Sequence, residues 1–223
     1  MNSMKGQSGF SLLEILVALS LMAMVFAIAS VGSYNPRQKI DETLANIERS
    51  IRFASDESAI RNSVIRLHFF LDKTPHEFVV EYGPSDSFML PAASEEGAVK
   101  SLADQEKSDK EQKKVNQNFT PVTEFQEKNA IIADEIRVIA VGTSVHNNLQ
   151  SEGQPSIYMF PTGEKDSAII IIANNQEVAG LIVDGFSGDI DRIYKPLGET
   201  TKENLSETQQ KIGMDLFKEW QKK

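Results

Sequence analysis

The chain opens with a short polar leader, Met1–Gly9, and then turns apolar: from Ile15 to Val31 no side chain is ionisable. Leu, Ala, Met, Ile and Val dominate that run, which as a helix would extend roughly 25 Å. With Phe10 to Glu14 added, the segment reaches about 22 residues, enough to cross a hydrocarbon core of ~30 Å. No proline interrupts it before Pro36. Helix is therefore the expected backbone state in lipid, where every peptide group must find its partner within the segment. Lys5 on the short flank favours a cytoplasmic N-terminus and an exported remainder.

Beyond Pro36 the helical pattern continues but becomes one-sided. Ile40, Leu44, Ile47, Ile51 and Ala54 recur at spacings of 4, 3, 4 and 3, a narrow apolar stripe. Asp41, Glu42, Glu48, Arg49, Arg52, Asp56 and Glu57 take the other sides, and Glu48–Arg52 and Glu57–Arg61 stand at i, i+4 in the favourable order. Pro36, with Gly32 just before it, is expected to kink or briefly break the helix. The pattern predicts one long helix over residues 10–61, with 10–34 transmembrane and 37–61 amphipathic.

Residues 62–195 read as a β head. Val64–Leu71 and Glu77–Tyr82 are rich in β-branched and aromatic residues, and Asp72-Lys73-Thr74-Pro75 between them makes a hairpin. Further strands are expected over Ile131–Val141, Ile157–Phe160, Ala168–Ala173, Val178–Asp184 and Ile190–Tyr194, with turn residues between them. Antiparallel sheets suit these short strands, and the AIIIIA run should be buried on both faces. The stretch 94–118 is crowded with Glu, Asp, Lys, Gln and Ser and is expected to be an exposed or disordered loop. Residues 196–223 form a polar tail with a short amphipathic helix carrying Ile212, Leu216, Phe217 and Trp220, which is expected to pack on its own head. The fold class is α+β.

The first residues admit three readings. One is a cleaved secretory signal with Ala27-Ile28-Ala29 as its cutting site. Another is an anchor that is never cut. The third rests on wording: Gly9-Phe10-Ser11-Leu12-Leu13-Glu14 resembles the class III signal of type IV pilins and type II secretion pseudopilins. That resemblance implies that a prepilin peptidase cuts after Gly9 and methylates Phe10, leaving the apolar helix attached. It also gives Glu14 a role in assembly, neutralising the N-terminal amine of a neighbouring subunit. A carboxylate and an amine buried together offset much of each other's desolvation. Glu14 would otherwise sit simply at the headgroup level.

The rest of the chain is similar to the minor pseudopilin H (GspH/FimT-like) group, through Phe160, Gly163, Val183, Asp184, Ser187, Gly188 and Ile190. The resemblance implies a pilin-like fold, a long helix packed on a head of two antiparallel sheets. Two departures stand out: the helix proline comes only at Pro36, and both the charged loop and the tail are long.

Acidic residues outnumber basic ones 32 to 23, giving a net charge of −9, which disfavours nucleic acid as a partner. The absence of cysteine excludes a disulfide framework and thiolate chemistry. His68, His76 and His146 show no metal-ligand spacing, and Asp184, Asp189 and Asp191 lack a calcium-loop pattern. No nucleophile elbow or phosphate loop occurs, so neither an enzyme nor a cofactor is expected. Two function classes remain. One is a minor pseudopilin, in the bacterial inner membrane and then in a periplasmic pseudopilus, with a major pseudopilin, other minor pseudopilins, a prepilin peptidase and membrane lipid as partners. The other is a FimT-like minor pilin of a type IV pilus that captures DNA, for which Lys107, Lys110, Lys113 and Lys114 are the nearest thing to a basic cluster.

Overall fold

The computed structural model describes residues 11–31, 36–84, 114–123, 131–144, 148–198, 201 and 204–222, without the side chains of 28–31. It divides into two units, residues 1–35 and 36–223. In the first, helix α1 spans Leu12–Val31. The expected break falls on residues 32–35, outside the described residues. Helix α2, Pro36–Arg61, begins on the proline itself. At the first helical position proline's missing N–H costs nothing.

The second unit has a mixed topology built only from antiparallel pairs. Strands β1 (Ile65–Phe70), β2 (Glu77–Tyr82), β3 (Thr120–Pro121) and β6 (Ser156–Met159) form one sheet in the order β3-β2-β1-β6. Strands β4 (Arg137–Thr143), β5 (Leu149–Gln150), β7 (Ala168–Ala173), β8 (Glu177–Val183) and β9 (Ile190–Pro196) form the other, ordered β5-β4-β7-β8-β9. Helix α3, Leu205–Trp220, closes the chain.

Where the elements differ from expectation, the reason is local. The strand expected from Ile131 begins only at Arg137, because Ala133-Asp134-Glu135 turns, with Ile136 N–H donating to Ala133 O at 2.8 Å. Ile131 keeps a single bridge to Glu77. Strands β3 and β5 have two residues each, too few to carry a pattern, and Pro121 sits on an edge strand, where a missing N–H is tolerated. The expected charged loop lies outside the described residues except for 114–118. That end does bury something: Val115 packs beside Val64, Phe119 and Tyr158.

The second sheet has two covered faces. From β7, Ala168, Ile170 and Ile172 point into a core shared with Leu67 and Phe69 of β1, Phe78 of β2 and the α2 stripe Ile40, Leu44, Ile47 and Ile51. The stripe residues are all fully buried, as the spacing predicts. Thr43, Ser50 and Ser58 join that buried side, each hydroxyl donating to a carbonyl of its own helix three or four residues back. On the other face Ile169, Ile171 and Ala173 meet Leu216 and Phe217 of α3. The Phe217 ring lies so close to Gly142 of β4 that a Cβ there would stand 2.6 Å from it. Phe217→Ala should therefore lower stability by about 3–4 kcal/mol. Urea unfolding followed by near- and far-UV circular dichroism should show one coincident transition. A separate early loss of helix would mean that α3 is peripheral to the fold.

Candidate functional site

Of the residues proposed for processing and assembly, Gly9 and Phe10 lie outside the described residues. Glu14 is in the first turn of α1, and its N–H donates to Ser11 O at 3.0 Å and reaches Ser11 Oγ at 3.2 Å. Ser11 is thus the N-cap of α1, its side-chain oxygen occupying one of the donors that a helix start leaves open. Sequence reasoning passed over Ser11, although Ser11-Leu12-Leu13-Glu14 reads as a capping box.

Along α1 every described side chain from Ser11 to Ala27 is exposed, Leu12 by 83% and Phe26 by 68%. The apolar character is spread around the whole circumference rather than gathered on one stripe. A helix of that kind needs lipid or other protein around it. Among the described residues no helix is long and apolar enough to cross a membrane. The expected span of 10–34 is described in its side chains only from 11 to 27.

In the head, polar chemistry concentrates on the outer face of the first sheet. Arg66 of β1 is 2% exposed. Its Nε donates to Glu81 Oε2 at 2.6 Å, its Nη1 to Asn116 Oδ1 at 2.8 Å, and its guanidinium lies 4.0 Å over the Phe119 ring. Two residues on, His68 shares a 2.7 Å hydrogen bond between Nδ1 and Ser156 Oγ. Burial, helped by the Arg66 charge, pushes the His68 imidazole down to about 3. Asp166 clasps the edge of β6, its Oδ2 accepting from Tyr158 N–H at 2.9 Å while its own N–H donates to Tyr158 O at 2.9 Å. Burial pushes its carboxyl up to about 6, against the opposing pull of that Tyr158 bond.

The other singled-out residues have structural work. His76 Nδ1 accepts from Val138 N–H at 3.1 Å, joining the approach to β2 to β4, and burial lowers its basicity. His146 lies outside the described residues. Asp184 Oδ1 accepts from Phe186 N–H at 2.9 Å and Ser187 N–H at 2.7 Å, which holds its carboxyl below the usual range. Among the described residues no group of three or more His, Cys, Asp or Glu side chains is placed to hold a metal ion. Trp220 is half-buried, its ring 5.5 Å from that of Phe217. Of the basic cluster only Lys114 is described, exposed at the start of a short helical turn.

A family model, the prokaryotic N-terminal methylation motif, matches residues 4–30. It spans Gly9, Phe10 and Glu14 and leaves the head unmatched. Neither curated proteins nor solved structures gave a match. The matched motif marks a type IV pilin-like prepilin, with a membrane-anchored N-terminus, processed by a prepilin peptidase and assembled with other pilins.

The two shifted groups pull stability in opposite directions with pH. Asp166 holds its proton more tightly folded than unfolded, so its contribution is present below about 4 and is lost as pH rises through about 6. His68 stays neutral when folded, so its contribution is present above the ordinary imidazole value and is lost as pH falls towards 3. Asp166→Asn keeps an acceptor for Tyr158 N–H and removes the buried charge. Relative to the unmodified protein it should gain on the order of 2–3 kcal/mol between pH 4 and pH 7. Urea titrations at the two pH values check this, and an equal difference at both would show that Asp166 does not titrate in that range.

Proposed function

We propose that the chain is a minor pseudopilin, a structural and non-catalytic subunit of a type II secretion pseudopilus that helps export folded proteins across the outer membrane. The observation that carries this reading is the methylation motif at the start of an apolar helix, in a chain whose head packs an amphipathic helix on two antiparallel sheets. On this reading residues 1–9 are a cleaved leader, Phe10 is the methylated first residue, and residues 10–34 anchor the chain in the inner membrane. The head is periplasmic, and its partners are a major pseudopilin and the other minor pseudopilins.

The pseudopilin H resemblance is supported by where its weak motifs fall. Phe160 and Gly163 close the turn after β6, with Gly163 N–H donating to Phe160 O at 3.0 Å and Gly163 at φ +90°. Asp184, Ser187 and Gly188 build the turn between β8 and β9. The alternative, a FimT-like minor pilin that takes up DNA, needs free cations. In the head Arg37 pairs with Glu177, Arg52 and Arg192 with Glu48, Arg61 with Glu57 and Arg66 with Glu81. Matched arginines on a chain of net charge −9 make nucleic acid the disfavoured ligand.

Deleting the gene in its own host separates the two readings. Loss of secreted proteins from the medium with DNA uptake intact is expected, and the reverse outcome would establish the pilus reading. Intact mass should show an N-methylated Phe10 start, whereas a start at Ser30 would mean a soluble exported protein. Glu14→Ala should leave leader removal unaffected while incorporation into filaments falls by roughly a hundredfold, the consequence of an unpaired buried amine. Normal incorporation of that variant would remove Glu14 from the assembly step.

A further inference from the structure

The hairpin turn between β8 and β9 carries a side chain that the head does not use. Phe186 is 100% exposed, the most exposed large apolar residue among those described outside α1. Scattered exposed apolar residues are ordinary on any surface, but this one stands on an unusually constrained turn. Asp184 Oδ1 accepts from both Phe186 and Ser187 N–H, Gly188 N–H donates to Asp184 O at 3.0 Å, and Asp184 N–H donates to Asp189 O at 2.9 Å. The base of the turn is fastened to the preceding loop as well. Gly185 N–H donates to Ser167 Oγ at 3.0 Å, and a Cβ on Gly185 would come within 2.3 Å of the Lys165 carbonyl. Lys165 in turn donates from Nζ to Ser55 Oγ of α2 at 3.2 Å. The aromatic ring is therefore held out on a backbone that is already ordered, so a partner covering it has little loop entropy to overcome.

The surroundings say what kind of partner fits. Glu164, Asp184, Asp189 and Asp191 are all exposed around this end of the sheet. Lys165 is turned along the hairpin towards α2, and Arg192 is bonded to Glu48. An acidic rim around an apolar anchor disfavours nucleic acid and anionic lipid, and it disfavours a second copy of the same acidic turn. We infer that the Phe186 turn is a docking surface for another subunit of the same filament, one presenting an apolar pocket bordered by Lys or Arg. The inference rests on the filament-subunit reading above and adds to it the face used and the chemistry of the neighbour.

The chain contains no cysteine, so one introduced cysteine is unique. Ser187→Cys, which leaves Phe186 intact beside it, is labelled with a photoreactive maleimide in the full chain expressed in its own host, and Lys211→Cys on the exposed side of α3 serves as the control. The expected product is a conjugate of the Ser187→Cys chain with a different subunit that itself carries a prepilin signal, in a yield that falls as salt is raised. Phe186→Ser should weaken binding to that subunit by roughly ten- to a hundredfold, the value of one buried aromatic side chain, with an unchanged melting temperature. No conjugate, a conjugate with lipid or with a second copy, or equal yield from the control would overturn the docking surface. If leader removal and membrane anchoring persist in those cases, the docking inference alone fails. If they are lost from the unmodified chain as well, the filament reading fails with it.

Discussion

Six consecutive residues of β7 are fully buried, and most of the head follows from that constraint. A strand alternates its side chains between two faces, so a continuous Ala-Ile-Ile-Ile-Ile-Ala run can be satisfied only if the sheet is covered on both. One cover is made by the first sheet together with the stripe of α2. The other is α3, pressed onto Ile169 and Ile171 through Leu216 and Phe217. The C-terminal helix is thus a required layer, and Gly142 is the residue whose missing side chain makes room for it. Polar ties reinforce the same stacking. Asn174, in the β7–β8 turn, donates from Nδ2 to Pro36 O, and its carbonyl accepts from Gln209 Nε2, so one side chain and its own backbone hold α2 and α3 at once.

The legible parts of the chain were those in which burial writes a period. The α2 stripe, the β1–β2 hairpin and the double-faced β7 all fill a core with a repeating pattern, and each appears where its residues predict. Less legible was chemistry that interrupts a pattern. Arg66 and His68 alternate with Ile65, Leu67 and Phe69, a reading that suggests a solvated outer face, yet both are buried. What covers Arg66 is the segment Lys114–Val122, through Asn116 and Phe119, while His68 is bonded to Ser156 of β6. A charged side chain can be buried when its partners come with it. Those partners, Glu81 and Asn116, lie 15 and 50 residues away from Arg66. No local window could find them.

The N-terminal motif was legible for a different reason. The methylation motif over residues 4–30 is a short string, and such a string does not depend on the fold around it. The structure adds Ser11. Its capping oxygen fixes the start of α1 without help from the leader. A helix with an N-cap of its own has less to lose when the preceding residues are cut away, because the donors of its first turn are already partly satisfied.

Charge connects the two ends of the molecule. Removal of the proposed leader would take away Lys5 and leave the remaining chain more acidic still, while Arg37, Arg66 and Arg192 are paired with internal carboxylates. Copies of such a chain repel one another, which disfavours a filament made of this subunit alone. A subunit of that character suits a position occupied once or a few times among less acidic neighbours. Glu14 and the acidic surface would then act at different ranges. On the proposed filament reading, the carboxylate in the apolar helix would select an amine at contact distance, in lipid, where a charge without a partner is costly. The head's carboxylates would act through water over about 10 Å and bias which neighbour approaches. The first would set register along the helices and the second composition among the heads, so the two need not involve the same partner.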